Sequence, residues 1–307
     1  MSRVLVTGAT GFIGRHTLRP LLEAGHEVHA VARRPPSVDE PAVRWHVADL
    51  LDEAQSRAIV SAVGASHLLH LAWYVEHGRF WDAHENADWV AATVRLARLF
   101  AEAGGQRAVL AGTCAEYDWA TVDGRCSEAD TPLRPVTFYG LCKDATRRVV
   151  ERLGIETAWG RIFFLYGPGE HPGRLVAGVS RSLVAGERVA TSEGTQLRDF
   201  LYVSDVAGAF AALTSSAATG AVNIGSGEAV PVGRVVELIA AAAGRPDLLD
   251  VGALARRPHD PEQLVADATR LREEVGWRPS VALEDGIAQT VAWWHEHEQA
   301  RASAPQG

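Results

Sequence analysis

Gly8-Ala9-Thr10-Gly11-Phe12-Ile13-Gly14 follows the apolar run Val4-Leu5-Val6-Thr7 and opens an amphipathic stretch over residues 12–24. Strand, G-x-x-G-x-x-G loop and helix in immediate succession predict the first βα turn of a βαβ unit. Glycines serve such a turn where the chain reverses sharply and where backbone must touch a ligand. The amino terminus of the following helix offers unpaired N–H groups and a positive dipole end, which suit a pyrophosphate. The loop therefore predicts a dinucleotide site.

Outward from this loop the first half of the chain alternates strands and helices. Short apolar runs at residues 4–7, 27–32, 43–47, 67–71 and 108–111 read as strands, and 12–24, 53–63 and 81–103 as helices. A helix at 139–153 and a sixth strand at 156–164 follow. Strands joined by helical crossovers predict an α/β fold, a doubly wound parallel sheet of the Rossmann type, covered on both faces. Pro168, Pro172 and the glycines at 167, 169 and 173 punctuate a loop, and the elements beyond it shorten. The expected division is a dinucleotide-binding domain over 1–167, with returning segments at about 199–224, and a smaller substrate-binding lobe made mainly from 168–307. A strand ending before Gly225 and a helix at 233–243 belong to this second half, and 301–307 reads as a frayed tail.

The second strand ends in Arg33-Arg34, with no acidic residue before Asp39. A carboxylate here accepts from an adenosine ribose 2′-hydroxyl, whereas guanidiniums bind a 2′-phosphate through paired hydrogen bonds. The arginines point to NADP, with NAD the less favoured cofactor. Asp49 follows the third strand and is read as an acceptor for the adenine amino group or as a helix cap.

Tyr139 and Lys143 stand four residues apart on one helical face. A free phenol titrates near pH 10, so a neighbouring ammonium is expected to lower it and let Tyr139 exchange a proton with a carbonyl or alcohol oxygen. Thr113, at the end of the fifth strand, is placed to hold the same oxygen. Of the 30 Lys and Arg residues, Lys143 alone is lysine. A compact ammonium is not interchangeable with a planar guanidinium, so composition and motif point to the same position.

These features, together with His70-Leu71-Ala72, Asn86, Thr113-Cys114-Ala115-Glu116-Tyr117, Tyr166-Gly167-Pro168, Leu197-Arg198-Asp199-Phe200, Asn223-Ile224-Gly225 and Gly276-Trp277-Arg278-Pro279, resemble the extended short-chain dehydrogenase/reductases. That branch includes sugar-nucleotide epimerases, dehydratases and 4-ketoreductases, and the likeness covers nearly the whole chain. It implies Thr113, Tyr139 and Lys143 as catalytic residues, with Lys143 also on the nicotinamide ribose. It implies a cofactor surface of Gly8, Thr10, Gly11, Phe12, Ile13, Gly14, Arg33, Arg34, Asp49, Leu50, Leu71, Ala72, Asn86, Tyr139 and Lys143. Arg198 and Arg257 resemble arginines that clamp a nucleoside diphosphate, with Arg174 a third candidate; an ion pair of Arg198 with Asp199 or Asp260 is the plainer reading.

Departures from the family's patterns narrow the chemistry. The sugar-nucleotide dehydratases carry an acidic pair after the threonine, where this chain has Cys114 and Ala115. Members that also epimerise beside the carbonyl carry cysteine at the place of Ala115. Many 4-epimerases have asparagine at the place of Phe164. The expectation is an NADPH-dependent reductase of a nucleotide-linked 4-keto-6-deoxyhexose, with Tyr139 as proton donor. The alternatives are an NAD(P)-dependent nucleotide-sugar 4-epimerase and, remotely, a non-catalytic NADP-binding protein.

A net charge of −8 without a basic cluster argues against nucleic-acid binding. No apolar run approaches the roughly 18 residues of a membrane span. Cys114, Cys126 and Cys142 form no disulfide framework or zinc pattern, and no metal is expected. A cytoplasmic setting follows, and by the resemblance a homodimer built on helices 81–103 and 139–153. Trp73, Trp119 and His171 read as packing or loop residues near the substrate.

Overall fold

Val4, Leu5 and Val6 are fully buried, and their alternation sets the layers. Val4 and Val6 face one apolar core and Leu5 the other, so the first strand lies inside the molecule with cover on both sides. The computed structural model describes residues 2–34, 40–122, 124–256 and 260–303.

The first part of the chain contains β1 (Arg3–Thr7), α1 (Gly14–Glu23), β2 (Glu27–Ala32), β3 (Arg44–Val47), α2 (Glu53–Val63) and β4 (His67–His70). It continues with α3 (Glu85–Glu102), β5 (Arg107–Thr113), α4 (Phe138–Val150), β6 (Glu156–Ile162) and β7 (Phe164–Tyr166). Next come α5 (Leu175–Val184), β8 (Val189–Ala190), β9 (Leu197–Arg198), β10 (Phe200–Tyr202), α6 (Val203–Ser215) and β11 (Gly220–Ile224). The remaining elements are β12 (Val230–Pro231), α7 (Val232–Ala242), β13 (Leu249–Asp250), β14 (Gln263–Leu264), α8 (Thr269–Glu273) and α9 (Leu283–Ser303).

A seven-stranded sheet in the order β11-β6-β5-β4-β1-β2-β3 is parallel throughout. This is the expected doubly wound α/β fold with one strand more than the six read from sequence, because β11 returns to pair with β6. On one face α1 and α6 supply Leu18, Leu21, Val206 and Phe210 to the core. On the other, α2 and α3 supply Ile59, Val60, Leu96 and Phe100. Each such side chain contributes about 1.5–3 kcal/mol by leaving water. A third core unites α5, α7 and α9 with β7 and β10 through Val179, Leu183, Val236, Ile239, Ile287 and Val291.

Several boundaries differ from the sequence reading, each for a visible reason. The run 156–164 is two strands, because the backbone changes partner at Phe163: its N–H donates to Ile224 and that of Phe164 to Asp199. β7 then pairs with β10 in a separate two-stranded sheet. The helix expected from residue 81 begins at Glu85, since the Trp81 carbonyl accepts from the Tyr139 N–H at 2.9 Å. Helix α4 is capped by Thr137, whose hydroxyl accepts from the Gly140 N–H at 3.1 Å. Helix α9 runs to Ser303, past the onset of the expected frayed tail. Among the described residues no helix is long and apolar enough to cross a membrane.

Candidate functional site

The strand order reverses between β1 and β4, and the crevice beyond the carboxyl ends of such strands is where ligands bind in this architecture. The glycine loop lies there. Gly8 has φ +67°, and a Cβ on it would stand 2.7 Å from the Ala72 nitrogen; a Cβ on Gly14 would stand 2.0 Å from the Gly8 carbonyl oxygen. The loop can therefore close against both the Leu71-Ala72 segment and the start of α1 only with glycine. Thr10 and Gly11 are exposed on its crest, Phe12 and Ile13 half-buried behind it. A bare backbone turn leading into a helix amino terminus fits the diphosphate of a dinucleotide.

Arg33 and Arg34 stand exposed just beyond β2. Asp49 is half-buried and its carboxylate accepts from the Leu51 N–H at 3.0 Å. It does not cap α2; that cap is Asp52, which accepts from Gln55 at 3.1 Å. Leu50 is buried, and Leu71 and Ala72 half-buried, at the ends of β3 and β4. Asn86 lies at the start of α3. It is fully buried, its Oδ1 accepts from Trp73 Nε1 at 2.8 Å, and its amide donates to the Phe80 and Ala83 carbonyls at 2.7 and 2.9 Å. Both amide protons are directed at carbonyls, so Asn86 pins the segment 73–86.

Thr113, Tyr139 and Lys143 converge at the end of β5. The Thr113 hydroxyl accepts from the Ala115 N–H at 3.2 Å and lies close enough to the Tyr139 phenol to favour its ionised form. Phe80 and Trp81 present their planes nearly perpendicular to the Tyr139 ring, centroids 5.0 and 5.9 Å away. Trp119 in turn meets Trp81 edge to face at 6.2 Å. Tyr139 thus sits in an aromatic wall. Lys143 is buried and donates to the Ala111 carbonyl at 2.9 Å.

The expected lowering of the Tyr139 pKa by Lys143 is not what this arrangement gives. Burial, followed by the Glu116 charge, holds the phenol well above its ordinary range, against the Thr113 hydrogen bond and the Arg174 charge. The ammonium is 5.9 Å from the ring centroid, and burial pulls it down to about 7. A group only partly charged near neutrality is a weak perturber.

Beneath the triad lies a buried network that residue spacing does not reveal. Glu116 is fully buried and meets Arg161, itself 1% exposed, at 2.7 Å. The Glu116 carboxylate also accepts from the Thr113 N–H at 2.9 Å and from Trp159 Nε1 at 2.8 Å. Arg161 donates to the Tyr117 hydroxyl at 3.1 Å, which donates to Asn223 Oδ1 at 2.7 Å. This network fixes the backbone that carries Thr113. Thr113-x-x-Glu116 has the form of a capping box, the one local signal that could have shown it.

On β9 Arg198 is buried. Its guanidinium donates to Asp260 Oδ1 at 2.5 Å and to the Leu197 carbonyl at 2.7 Å, the ion pair named as the plainer reading. Asp199 is instead consumed by Ser226, Gly227 and Ala266. Arg174 immediately precedes α5, makes no side-chain cap to it, and pairs with Glu170 at 2.7 Å. Arg257 lies outside the described residues. His171 stacks on His77 at 4.7 Å, joining two loops beside the crevice. Cys114, Cys126 and Cys142 are free and buried. Among the described residues no group of His, Cys, Asp and Glu could hold a metal.

A doubly wound parallel sheet with this glycine loop and a threonine, tyrosine and lysine at its carboxyl edge defines an NAD(P)-dependent enzyme of the extended short-chain dehydrogenase/reductase type. The chain belongs to the NAD dependent epimerase/dehydratase family, which it matches over residues 4–225. It is 30% identical to the dTDP-6-deoxy-L-talose 4-dehydrogenase (NAD(P)(+)) of Kitasatospora kifunensis, over 94% of each chain. It is 29% identical to the dTDP-glucose 4,6-dehydratase of Streptomyces griseus, over 96% of this chain and 95% of that one. Among solved structures it resembles MoeE5 in complex with UDP-glucuronic acid and NAD, with TM-score 0.81, 32% identity and coverage of 96% of this chain and 99% of that one.

Proposed function

We propose that this enzyme is an NADPH-dependent reductase of a nucleotide-linked 4-keto-6-deoxyhexose. The observation that carries this reading is the pair Arg33 and Arg34, exposed just beyond β2, with no acidic residue in the sequence between Glu27 and Asp39. A 2′-phosphate suits two guanidiniums, and NADPH suits an enzyme that consumes hydride. The Kitasatospora relative is named for oxidation at C4 with NAD(P)+; the reverse of that reaction reduces a 4-ketone. The NAD held by MoeE5 marks the competing cofactor.

Bound nicotinamide supplies the hydride. Tyr139 gives its proton to the keto oxygen as that hydride reaches the carbon, and the alcohol results. A phenol kept protonated by burial is the form this step needs at its start. Thr113 holds the keto oxygen, Arg174 favours the phenolate left behind, and Lys143 holds the nicotinamide ribose. Cys114 is buried with its thiol pushed far above its usual range by burial, and Ala115 has no ionisable group, so the elimination performed by a dehydratase lacks its acid and base. Arg198 binds the substrate diphosphate after exchanging it for Asp260, with Arg257 and Arg174 as further cationic contacts.

The functional unit of this reading is a homodimer in the cytoplasm, with α3 and α4 at the two-fold. Leu141, Ala145 and Val149 form an exposed stripe on α4 beside exposed Ala87 and Ala91 on α3. The test is a panel of dTDP-, CDP- and GDP-linked 4-keto sugars with NADPH or NADH. Loss of NADPH absorbance with at least one of them is expected. No loss with any, alongside C4 inversion of a simple UDP- or GDP-sugar, identifies a 4-epimerase and overturns the proposal.

A further inference from the structure

Trp73 follows Leu71-Ala72 at the end of β4 and is 9% exposed. Its indole does more than fill a core. The Lys143 ammonium stands 3.8 Å from the ring centroid, within the range where a cation is attracted by the face of an indole, the best aromatic partner for it. The indole is held in turn: Nε1 donates to Asn86 at 2.8 Å, and Asn86 is anchored on the Phe80 and Ala83 carbonyls. An ammonium has three N–H donors. One goes to Ala111 and the indole face takes a second, leaving one for a ligand. Among the described residues no carboxylate forms an ion pair with Lys143; the Trp73 indole face and one carbonyl are its near partners, with the Tyr139 and Trp159 rings farther off at 5.9 and 6.0 Å. The segment that carries this arrangement also reaches Tyr139, through the Phe80 ring and the Trp81 carbonyl.

We propose that Trp73 is a positioning residue for Lys143: Asn86 fixes the indole, and the indole face fixes the ammonium against the end of β5 with one donor free. The inference rests on reading Lys143 as a cofactor-binding residue of the proposed reductase. Leucine at position 73 keeps apolar bulk and lacks the quadrupole; phenylalanine keeps an aromatic face and lacks the N–H for Asn86.

The chain's single lysine makes the test direct. Protein labelled with carbon-13 at lysine Cε gives one lysine side-chain resonance, and its attached protons report the indole through ring current. In the unaltered protein those protons resonate upfield of free lysine; in Trp73→Leu they lose most of that displacement, keeping only what the more distant Tyr139 and Trp159 rings give, and in Trp73→Phe they keep a larger part of it. NADPH affinity, read by fluorescence on the same proteins, falls about ten-fold in Trp73→Leu and stays within about three-fold in Trp73→Phe. A free-lysine resonance in the unaltered protein overturns the proposal. So does a Leu variant whose resonance moves while its affinity for NADPH is unchanged. Failure of the reductase reading is a separate result: the unaltered protein then transfers no hydride to any keto sugar, whatever its lysine resonance does.

Discussion

The Lys143 ammonium donates a 2.9 Å hydrogen bond to the carbonyl of Ala111, two residues before Thr113 on β5. That bond ties α4, which carries Tyr139, to β5, which carries Thr113. A guanidinium is planar and longer, and cannot place one compact donor set between a carbonyl and an indole face. Lys143→Arg is expected to lower turnover by about a hundred-fold, and Tyr139→Phe by at least as much. Steady-state rates check this; near-normal turnover in Lys143→Arg contradicts it.

Lys143 also gives stability a pH dependence of known sign. In the unfolded chain it holds its proton up to about pH 10, whereas burial brings it to about 7 in the fold. Between these values the unfolded chain binds the extra proton, so the folded state gains as pH rises through the window. Relative to Lys143→Met, the cofactor-free protein should gain on the order of a few kcal/mol between about pH 7 and 10. Denaturant unfolding of both proteins across that range measures the difference. Parallel pH profiles would show that burial does not depress this lysine.

Arg33 and Arg34 bear on cofactor choice alone. Replacing both with alanine is expected to weaken NADPH about a hundred-fold or less and to leave NADH within about three-fold. Dissociation constants for both cofactors, measured at one ionic strength, decide it. An equal loss for both would move the arginines from the 2′-phosphate to a general role.

Glu116 meets Arg161 in a pair from which water is excluded. Glu116→Ala leaves a buried guanidinium uncompensated and is expected to cost about 3–5 kcal/mol. It also strips an acceptor from the Thr113 N–H. The denaturation midpoint reports this, and a loss below about 1 kcal/mol would place the pair in the class of exposed ion pairs.

Local features made much of this site legible in the sequence. The Gly8–Gly14 loop declares itself because strand, turn and helix adjoin, and Tyr139 and Lys143 because one helical turn separates them. What stayed hidden depends on distant partners. Glu116 finds Arg161 across 45 positions, and β11 joins the sheet only through β6. The apolar run through Phe163 shows no change of period where the backbone switches from one sheet to another. The phenol of Tyr139 was expected to be lowered by a charge at helical spacing; burial, which spacing does not encode, outweighs that charge. Asn86 stands out in the sequence, but its residue type tells nothing of its bonds to the Phe80 and Ala83 carbonyls.

Net hydride transfer is the central claim, and isotope transfer from NADPH deuterated at its transferable position tests it most directly. With a nucleotide-linked 4-keto-6-deoxyhexose the account predicts one deuterium at C4 of the product for each NADPH consumed. Deuterium that never reaches the sugar, while C4 of a simple nucleotide sugar inverts without consumption of cofactor, would contradict it.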